Sequence, residues 1–296
     1  MRQTNANPSS KPYSDGLPLH APDDTDTPIP HLAEIYRTII GTLRYIADST
    51  RPDIAFVVSK LAGANQCPTK RHWSHLKHLV RYLKGTINTG ILYSPSPTKS
   101  VSLTTYTDAD YAGDKLDCKS TSGAVHLING SPISWISTKQ TMQALSTCES
   151  EYIAAALAVQ YTQWLRRILA ELHALPNTPT LLFMDNQAAI SIANNTAPTN
   201  KRKFIDLRHH YLREHIQKGN ITLQHVPSNK MLADILTKPL KNQTFTNLKN
   251  LLHLCSAPAN DKRAQPILLT KQGDCYYAAR ATKCFDTSIG VLTAPA

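Results

Sequence analysis

Paired cysteines, long apolar runs, internal repeats and acidic residues are all in short supply in this 296-residue chain. None of the six cysteines (Cys67, Cys118, Cys148, Cys255, Cys275 and Cys284) belongs to a C-x-x-C pair, and none has a histidine at zinc-finger spacing. That excludes a zinc finger and reads as buried or incidental thiols in a reducing compartment. The N-terminal region lacks an apolar core of signal-peptide length, and no later stretch approaches the roughly eighteen apolar residues of a membrane span. No repeat of solenoid period is visible. The expectation is a soluble intracellular protein with no membrane partner.

Basic residues outnumber acids by 32 to 21, a formal net charge of +11. Unless this is simply a basic soluble protein, an excess of that size points to a polyanionic partner, nucleic acid or an anionic surface.

Residues 1–29 are rich in Pro, Ser, Thr, Asn and Asp. They hold too few large apolar groups to offset chain entropy, so a flexible lead-in is expected. Residues 30–95 read as a small helical unit. Leu32, Ile35, Tyr36, Ile39, Ile40, Leu43 and Ile46 recur at helical spacing. Pro52 suits the first turn of a second helix. A third helix from Lys70 through Leu83 has Leu76, Leu79, Val80 and Leu83 as its stripe and Lys70, Arg71, Lys77, Arg81 and Lys84 on the remainder. That basic face is either solvated surface or a backbone-binding face. The Pro- and Ser-rich run at 94–100 marks a boundary, and residues 100–255 form a second domain. Residues 256–296 carry no domain signature and stand as an unassigned tail.

The second domain opens with three strand-like runs, at 101–108, 123–128 and 133–137. Asn129-Gly130 joins the last two as a hairpin, so an antiparallel meander is expected. Ser146 and Glu149 then have capping-box spacing at the head of a long Ala- and Leu-rich helix. Glu149 therefore has a structural task. Glu151 lies roughly 200° around the axis from it, cannot share that task, and should face the sheet. A short apolar strand at 180–184 ends in Asp185, which is either a site acid or a plain helix cap. Residues 201–218 are the most basic stretch, with Lys201, Arg202, Lys203, Arg208, His209, His210 and Arg213 against Asp206 and Glu214. Such a helix could track phosphates. His209 and His210 are adjacent and diverge, so they are not a metal pair. After a strand at 221–226, Asp234 interrupts an apolar run that opens a further helix, and should face something polar.

Four acids thus stand at element ends: Asp108, Glu151, Asp185 and Asp234. Each alone has a bland explanation, and Asp110 is merely the neighbour that shares a strand face with Asp108. Their order is informative: strand-Asp, helix-Glu, strand-Asp, helix-Asp across one α/β unit. Clustered carboxylates cannot all ionise without counter-cations. Hard oxygen ligands favour Mg²⁺ or Mn²⁺. Two such ions roughly 4 Å apart can activate water and stabilise a leaving oxygen in phosphodiester cleavage.

The motifs Tyr106-Thr107-Asp108-Ala109-Asp110-Tyr111-Ala112-Gly113, Ser120-Thr121-Ser122-Gly123, Ser134-Trp135, Lys139-Gln140, Ser146 to Glu151, Asp185-Asn186 and Ala233-Asp234-Ile235-Leu236-Thr237-Lys238 follow one another in order. They resemble the ribonuclease H domain of copia-type LTR retrotransposon Pol polyproteins. Tyr36-Arg37, Gly41-Thr42-Leu43, Thr50 to Ala55, His72-Trp73 and Arg81 to Thr86 resemble the connection from reverse transcriptase to that domain. The resemblance covers residues 30 to 240. It implies a ribonuclease H-like mixed five-stranded sheet flanked by helices. It implies Asp108, Glu151, Asp185 and Asp234 as catalytic and metal-binding residues, two Mg²⁺ or Mn²⁺ ions, and hydrolysis of the RNA strand of RNA–DNA hybrids. Tyr152-Ile153-Ala154-Ala155 after Glu151 fits the family's helix, which again selects Glu151 over Glu149. Asp110 and His225 are auxiliary candidates, and full-length Pol or a reverse transcriptase is the implied protein partner. The expected setting is intracellular, in a cytoplasmic retrotransposon particle or the nucleus. The polymerase Tyr-x-Asp-Asp motif is missing, the only Asp-Asp pair being Asp23-Asp24, so DNA synthesis is not expected. The alternative to an enzyme is an inactive, basic, hybrid-binding remnant of Pol, which a Glu151 displaced from the other acids would favour.

Overall fold

The computed structural model describes residues 9–14, 26–93, 101–114, 116–194 and 207–256, with side chains at 207–209 excepted, and the backbone at 270–271 and 274–275. Its contacts divide the chain into two units, 1–90 with 255–296, and 91–254.

The first unit is built on three helices, α1 (Ala33–Ser49), α2 (Pro52–Ala62) and α3 (Lys70–Gly85). Tyr36, Ile39, Ile40 and Leu43 of α1 are buried, as are Ile54, Val57, Val58 and Leu61 of α2 and Leu76, Leu79 and Leu83 of α3. Pro52 stands in the first turn of α2, where its missing N–H costs nothing. The interruption at Arg51-Pro52-Asp53 holds a buried fork: Arg51 Nε and Nη2 each donate to an Asp53 carboxylate oxygen at 2.8 Å, and Tyr82 OH donates to Asp53 Oδ2 at 2.5 Å. The polar groups thus satisfy one another, which a buried ion pair requires. Lys70, Lys77, Arg81 and Lys84 are exposed along α3.

The described parts of the expected lead-in are packed. Lys11 and Tyr13 are buried. Ser9 Oγ and the Lys11 carbonyl lie 2.9 and 3.0 Å from His78 Nε2 on α3, and Pro28 forms a β-bridge with Thr69. Composition conceals such anchors because a few contacts suffice to pin a polar segment to a preformed helix.

The second unit carries a mixed five-stranded sheet. Its strands are β1 (Leu103–Asp110), β2 (Thr121–Ile128), β3 (Ser131–Lys139), β4 (Thr180–Met184) and β5 (Ile221–His225). Their spatial order is β3-β2-β1-β4-β5. The first three form the expected antiparallel meander, and β4 and β5 add in parallel to β1. The hairpin turn carries positive φ at both Asn129 (50°) and Gly130 (83°), the backbone that an Asn-Gly pair tolerates. Pairing shifts β1 two residues along, through Asp108 to Asp110, and lengthens β2 and β3 beyond the β-rich runs at 123–128 and 133–137.

The connecting helix α4 (Thr147–Glu171) lays Tyr152, Ala155, Ala158 and Val159 in one buried cluster with Leu182 and Met184 of β4. Small alanines bring helix and sheet into close contact. Helices α5 (Gln187–Asn194) and α6 (Leu207–Gln217) follow, and α7 (Asn242–Leu251) comes after a 3₁₀ turn, Leu232–Leu236. A mixed five-stranded sheet with flanking helices is the architecture expected of a ribonuclease H-like domain. Among the described residues, no helix is long and apolar enough to cross a membrane. Among the described residues, Cys67, Cys118 and Cys255 are exposed and Cys148 is half-buried, so these four thiols are not core residues.

Candidate active site

Register places the first two acids. Tyr106 of β1 pairs with Phe183 of β4 in parallel, and their rings stack with centroids 4.6 Å apart. Two residues further along each chain come Asp108 and Asp185, so both leave the same end of adjacent strands. Asp108 is 1 % exposed. Asp185 is half-buried, and Ser228 Oγ donates to its Oδ2 at 2.9 Å. Asp185 is not the cap of α5. Asn186 takes that task, its Oδ1 accepting from Ala189 N–H at 3.0 Å, which leaves the aspartate carboxylate to the site.

The start of α4 supplies the third acid. Ser146 Oγ accepts from Glu149 N–H at 3.2 Å, and Glu149 Oε2 accepts from Leu145 N–H at 2.7 Å. The return contact thus falls one residue before the cap instead of on it, but Glu149 is committed to the helix start as expected. Glu151 turns inward and is 3 % exposed. One carboxylate oxygen from each of Asp108, Glu151 and Asp185 lies within 4.8 Å of the others, a group able to hold a metal ion. Glu151 Oε2 is buried without a hydrogen-bond partner. An orphaned acceptor beside two further carboxylates suits a hard divalent cation.

Asp234 arrives on the 3₁₀ turn rather than on an α-helix. One row of paired residues across three strands, Asp108–Gly123–Ser137, receives that turn. Thr237 Oγ1 donates to Asp108 Oδ2. Ser137 Oγ donates to the Leu236 carbonyl at 2.7 Å. Gly123 leaves the space between: a Cβ there would lie 2.5 Å from Thr237 Cγ2 and 3.1 Å from the Ala233 carbonyl oxygen. Lys238 follows, with its Nζ 3.0 Å from Asp234 Oδ1 and 3.6 Å from Asp108 Oδ2.

No family model matches the chain. It is 37% identical over 223 residues to the "Retrovirus-related Pol polyprotein from transposon RE1" of Arabidopsis thaliana, covering 75% of this chain and 15% of that protein. It is 36% identical over 221 residues to the corresponding polyprotein from transposon TNT 1-94 of Nicotiana tabacum, covering 75% and 16%. The chain belongs with the retrovirus-related Pol polyproteins of transposons. It spans about 15% of the length of these relatives. A stretch of 132 residues is also 40% identical to the Plasmopara viticola protein named Secreted RxLR effector protein 161, covering 44% of this chain and 90% of that one. Among solved structures, that titled "Crystal structure of LC11-RNase H1 in complex with RNA/DNA hybrid" aligns at a TM-score of 0.35 and 15% identity, over 46% of this chain and 94% of the other.

The remaining residues singled out in this Pol segment fall in several places. Asp110 ends β1 half-buried and folds its carboxylate against Gly113, where a Cβ would lie 1.8 Å from Asp110 Oδ2. His225 is exposed at the end of β5, paired with Met184, the residue before Asp185. Lys201, Arg202, Lys203 and Asp206 lie outside the described residues, as do the side chains of Arg208 and His209. His210 is exposed on α6, whereas Arg213 turns back and donates from Nη2 to the Ile192 carbonyl at 3.0 Å. Sequence reasoning gave no role to Ser228 or to Ser137. The i,i+4 spacing of Asp234 and Lys238 was the available signal for their ion pair.

Electrostatics in the Pol segment follow from burial. Burial first, then the charges of Asp108 and Asp185, push the Glu151 carboxyl up to about 9. Burial and then Asp108 push Asp234 up to about 7, against the pull of Lys238. Burial pulls the Lys238 ammonium down, but Asp108 and Asp234 outweigh it, and its pKa is raised. Both raised carboxyls bind protons more tightly folded than unfolded, so the stability they contribute is lost as pH climbs from the unfolded carboxylate range through their folded values. In EDTA the melting temperature should therefore fall between pH 7 and 9, and fall less in Glu151→Gln. Thermal melts across that range check it; equal slopes in the two proteins would refute it.

Proposed function

We propose that this segment is a divalent-metal-dependent nuclease that hydrolyses the RNA strand of RNA–DNA hybrids as part of a retrotransposon reverse transcriptase. The observation that carries the reading is the Asp108, Glu151 and Asp185 group, with its orphaned Glu151 oxygen. Glu151 is not displaced from its partners, which favours an enzyme over an inactive binding remnant. Family kinship supplies the substrate class.

Asp108, Glu151 and Asp185 would hold one Mg²⁺ or Mn²⁺ ion, and Asp108 with Asp234 flank the place for a second. Bound ions supply an activated water and charge stabilisation at the scissile phosphate. The chain's own residues prepare that chemistry. Thr237 fixes the Asp108 carboxylate, and Ser228 fixes that of Asp185. Burial and the neighbouring charges of Asp108 and Asp185 favour the protonated Glu151 carboxyl, so a proton competes with the cation there and metal affinity should rise with pH. Hydrolysis places the water oxygen on phosphorus and breaks the bond to the 3′-oxygen, leaving a 5′-phosphate. A 2′-hydroxyl marks the RNA strand. Basic residues of the run at 201–210 would grip phosphates, which makes binding fall steeply with salt. The reading sets the protein inside the cell, in cytoplasmic particles or the nucleus, beside full-length Pol.

The test is cleavage of an end-labelled RNA–DNA hybrid by the full chain. Cutting is expected in Mg²⁺ or Mn²⁺, confined to the RNA strand and stopped by EDTA. A folded sample that leaves the hybrid intact with either ion refutes the proposal.

A further inference from the structure

Among the described residues, four carboxylates and one ammonium share this site, and they are not evenly distributed. Lys238 stands at the Asp108–Asp234 edge, 3.6 and 3.0 Å from the two carboxylates. Glu151 Oε2, in the Asp108–Glu151–Asp185 group, and Asp234 Oδ1 are both buried with no hydrogen-bond donor of good geometry, but only Asp234 Oδ1 has the ammonium beside it, at 3.0 Å. Among the described residues, the Asp108–Asp234 edge has a cation at ion-pair distance and the Asp108–Glu151–Asp185 group has no second one. This is no ordinary surface pair, because the Asp108 and Asp234 side chains are only 2% and 8% exposed, whereas Lys238 keeps 34% exposure and a route to solvent. The backbone fixes the placement too. Thr237, the residue before Lys238, donates to the same Asp108 Oδ2 that faces the ammonium. The turn docked on Gly123 and Ser137 therefore delivers Asp234 and its counter-ion together.

We infer that Lys238 is a positioning residue that acts as a resident cation and makes metal loading sequential. The cation-poor group of Asp108, Glu151 and Asp185 loads first. A second ion competes with the ammonium at the Asp108–Asp234 edge, and loads only as the partly exposed Lys238 chain swings away. Without metal, Lys238 keeps Asp108 and Asp234 from repelling one another, so the empty site stays assembled. This rests on the metal-dependent reading of the site.

The decisive experiment is Mn²⁺ binding to the full chain, followed by calorimetry and by electron paramagnetic resonance of the free ion. Wild type should bind one ion more tightly than a second. Lys238→Gln should tighten the second site by at least about tenfold, since a unit charge at this range is removed from a poorly solvated pair. It should also lower the melting temperature in EDTA. Lys238→Arg keeps the charge and should retain the wild-type isotherm. An unchanged isotherm in Lys238→Gln overturns the inference while leaving the metal site standing. So does an equal gain in Lys238→Arg, since charge would not then be the cause. If wild type binds no Mn²⁺ at all, the metal reading and this inference fall together.

Discussion

Asp108→Asn should leave the protein folded and reduce hybrid cleavage by at least roughly a thousandfold, the scale on which losing a metal-held charge acts. Asp108 is the residue that the others share. It lies in the carboxylate group with Glu151 and Asp185, accepts from Thr237, and faces Lys238. Asparagine keeps the shape and an oxygen for the Thr237 hydroxyl, but it removes the charge that would bind the cation. It also relieves Glu151, whose carboxyl is pushed up by burial and then by Asp108. The melting temperature in EDTA at pH 8 should therefore hold or rise while activity disappears. Asp185→Asn should lose cleavage similarly, with a smaller change in the melt because Asp185 is only half-buried. Initial rates and melts on the same samples check both. Full activity in either variant would sink the assignment.

Gly123→Ala should produce the second large effect, although residue 123 carries no chemistry. The added methyl would lie 2.5 Å from Thr237 Cγ2, 3.0 Å from Leu236 Cβ and 3.1 Å from the Ala233 carbonyl oxygen. Thr237 cannot simply rotate, because its hydroxyl is committed to Asp108. The Ala233 oxygen is backbone, so relief requires the whole turn to lift from the sheet. Overpacking of this kind costs about 1–3 kcal/mol. A shift of about 1 Å in a catalytic group costs on the order of a hundredfold in rate. The expected result is a lowered melting temperature and a loss of cleavage of that order. Ser137→Ala is the control: it removes one hydrogen bond to Leu236, worth about 1 kcal/mol, without crowding the turn. If Gly123→Ala behaves no worse than Ser137→Ala, close approach is not what positions Asp234.

Much of this was legible in the sequence because local chemistry and tertiary structure agree. Asn129-Gly130 demands the backbone that its turn adopts. The Ser146–Glu149 spacing identified which glutamate was spare. The meander and the apolar strand at 180–184 announced a sheet. Other features were not legible, for reasons that differ. Asp185 was balanced between site and cap, and only the observation that Asn186 caps α5 separates them. Asp234 was expected in a further helix because it interrupts an apolar run, 231–236, that reads as the opening of one. A buried 3₁₀ turn spends the same residues differently. The packing of Lys11 and Tyr13 depends on contacts with α3, over sixty positions away, that composition cannot register. The role of Gly123 is invisible without coordinates, since a glycine in a strand reads first as a weakness.

The last strand of the sheet ends at His225, but the site is not assembled until the chain reaches Lys238. During synthesis, all five strands and three of the four acids leave the ribosome before the turn that carries the fourth. A premature stop after Val226 would therefore spare every strand of the sheet while removing Asp234, Thr237 and Lys238 together. A chain ending there would keep the sheet that carries Asp108 and Asp185 but lack the turn that pairs Asp234 and Lys238 with them, so the strands and the complete carboxylate set are separable parts of the same unit.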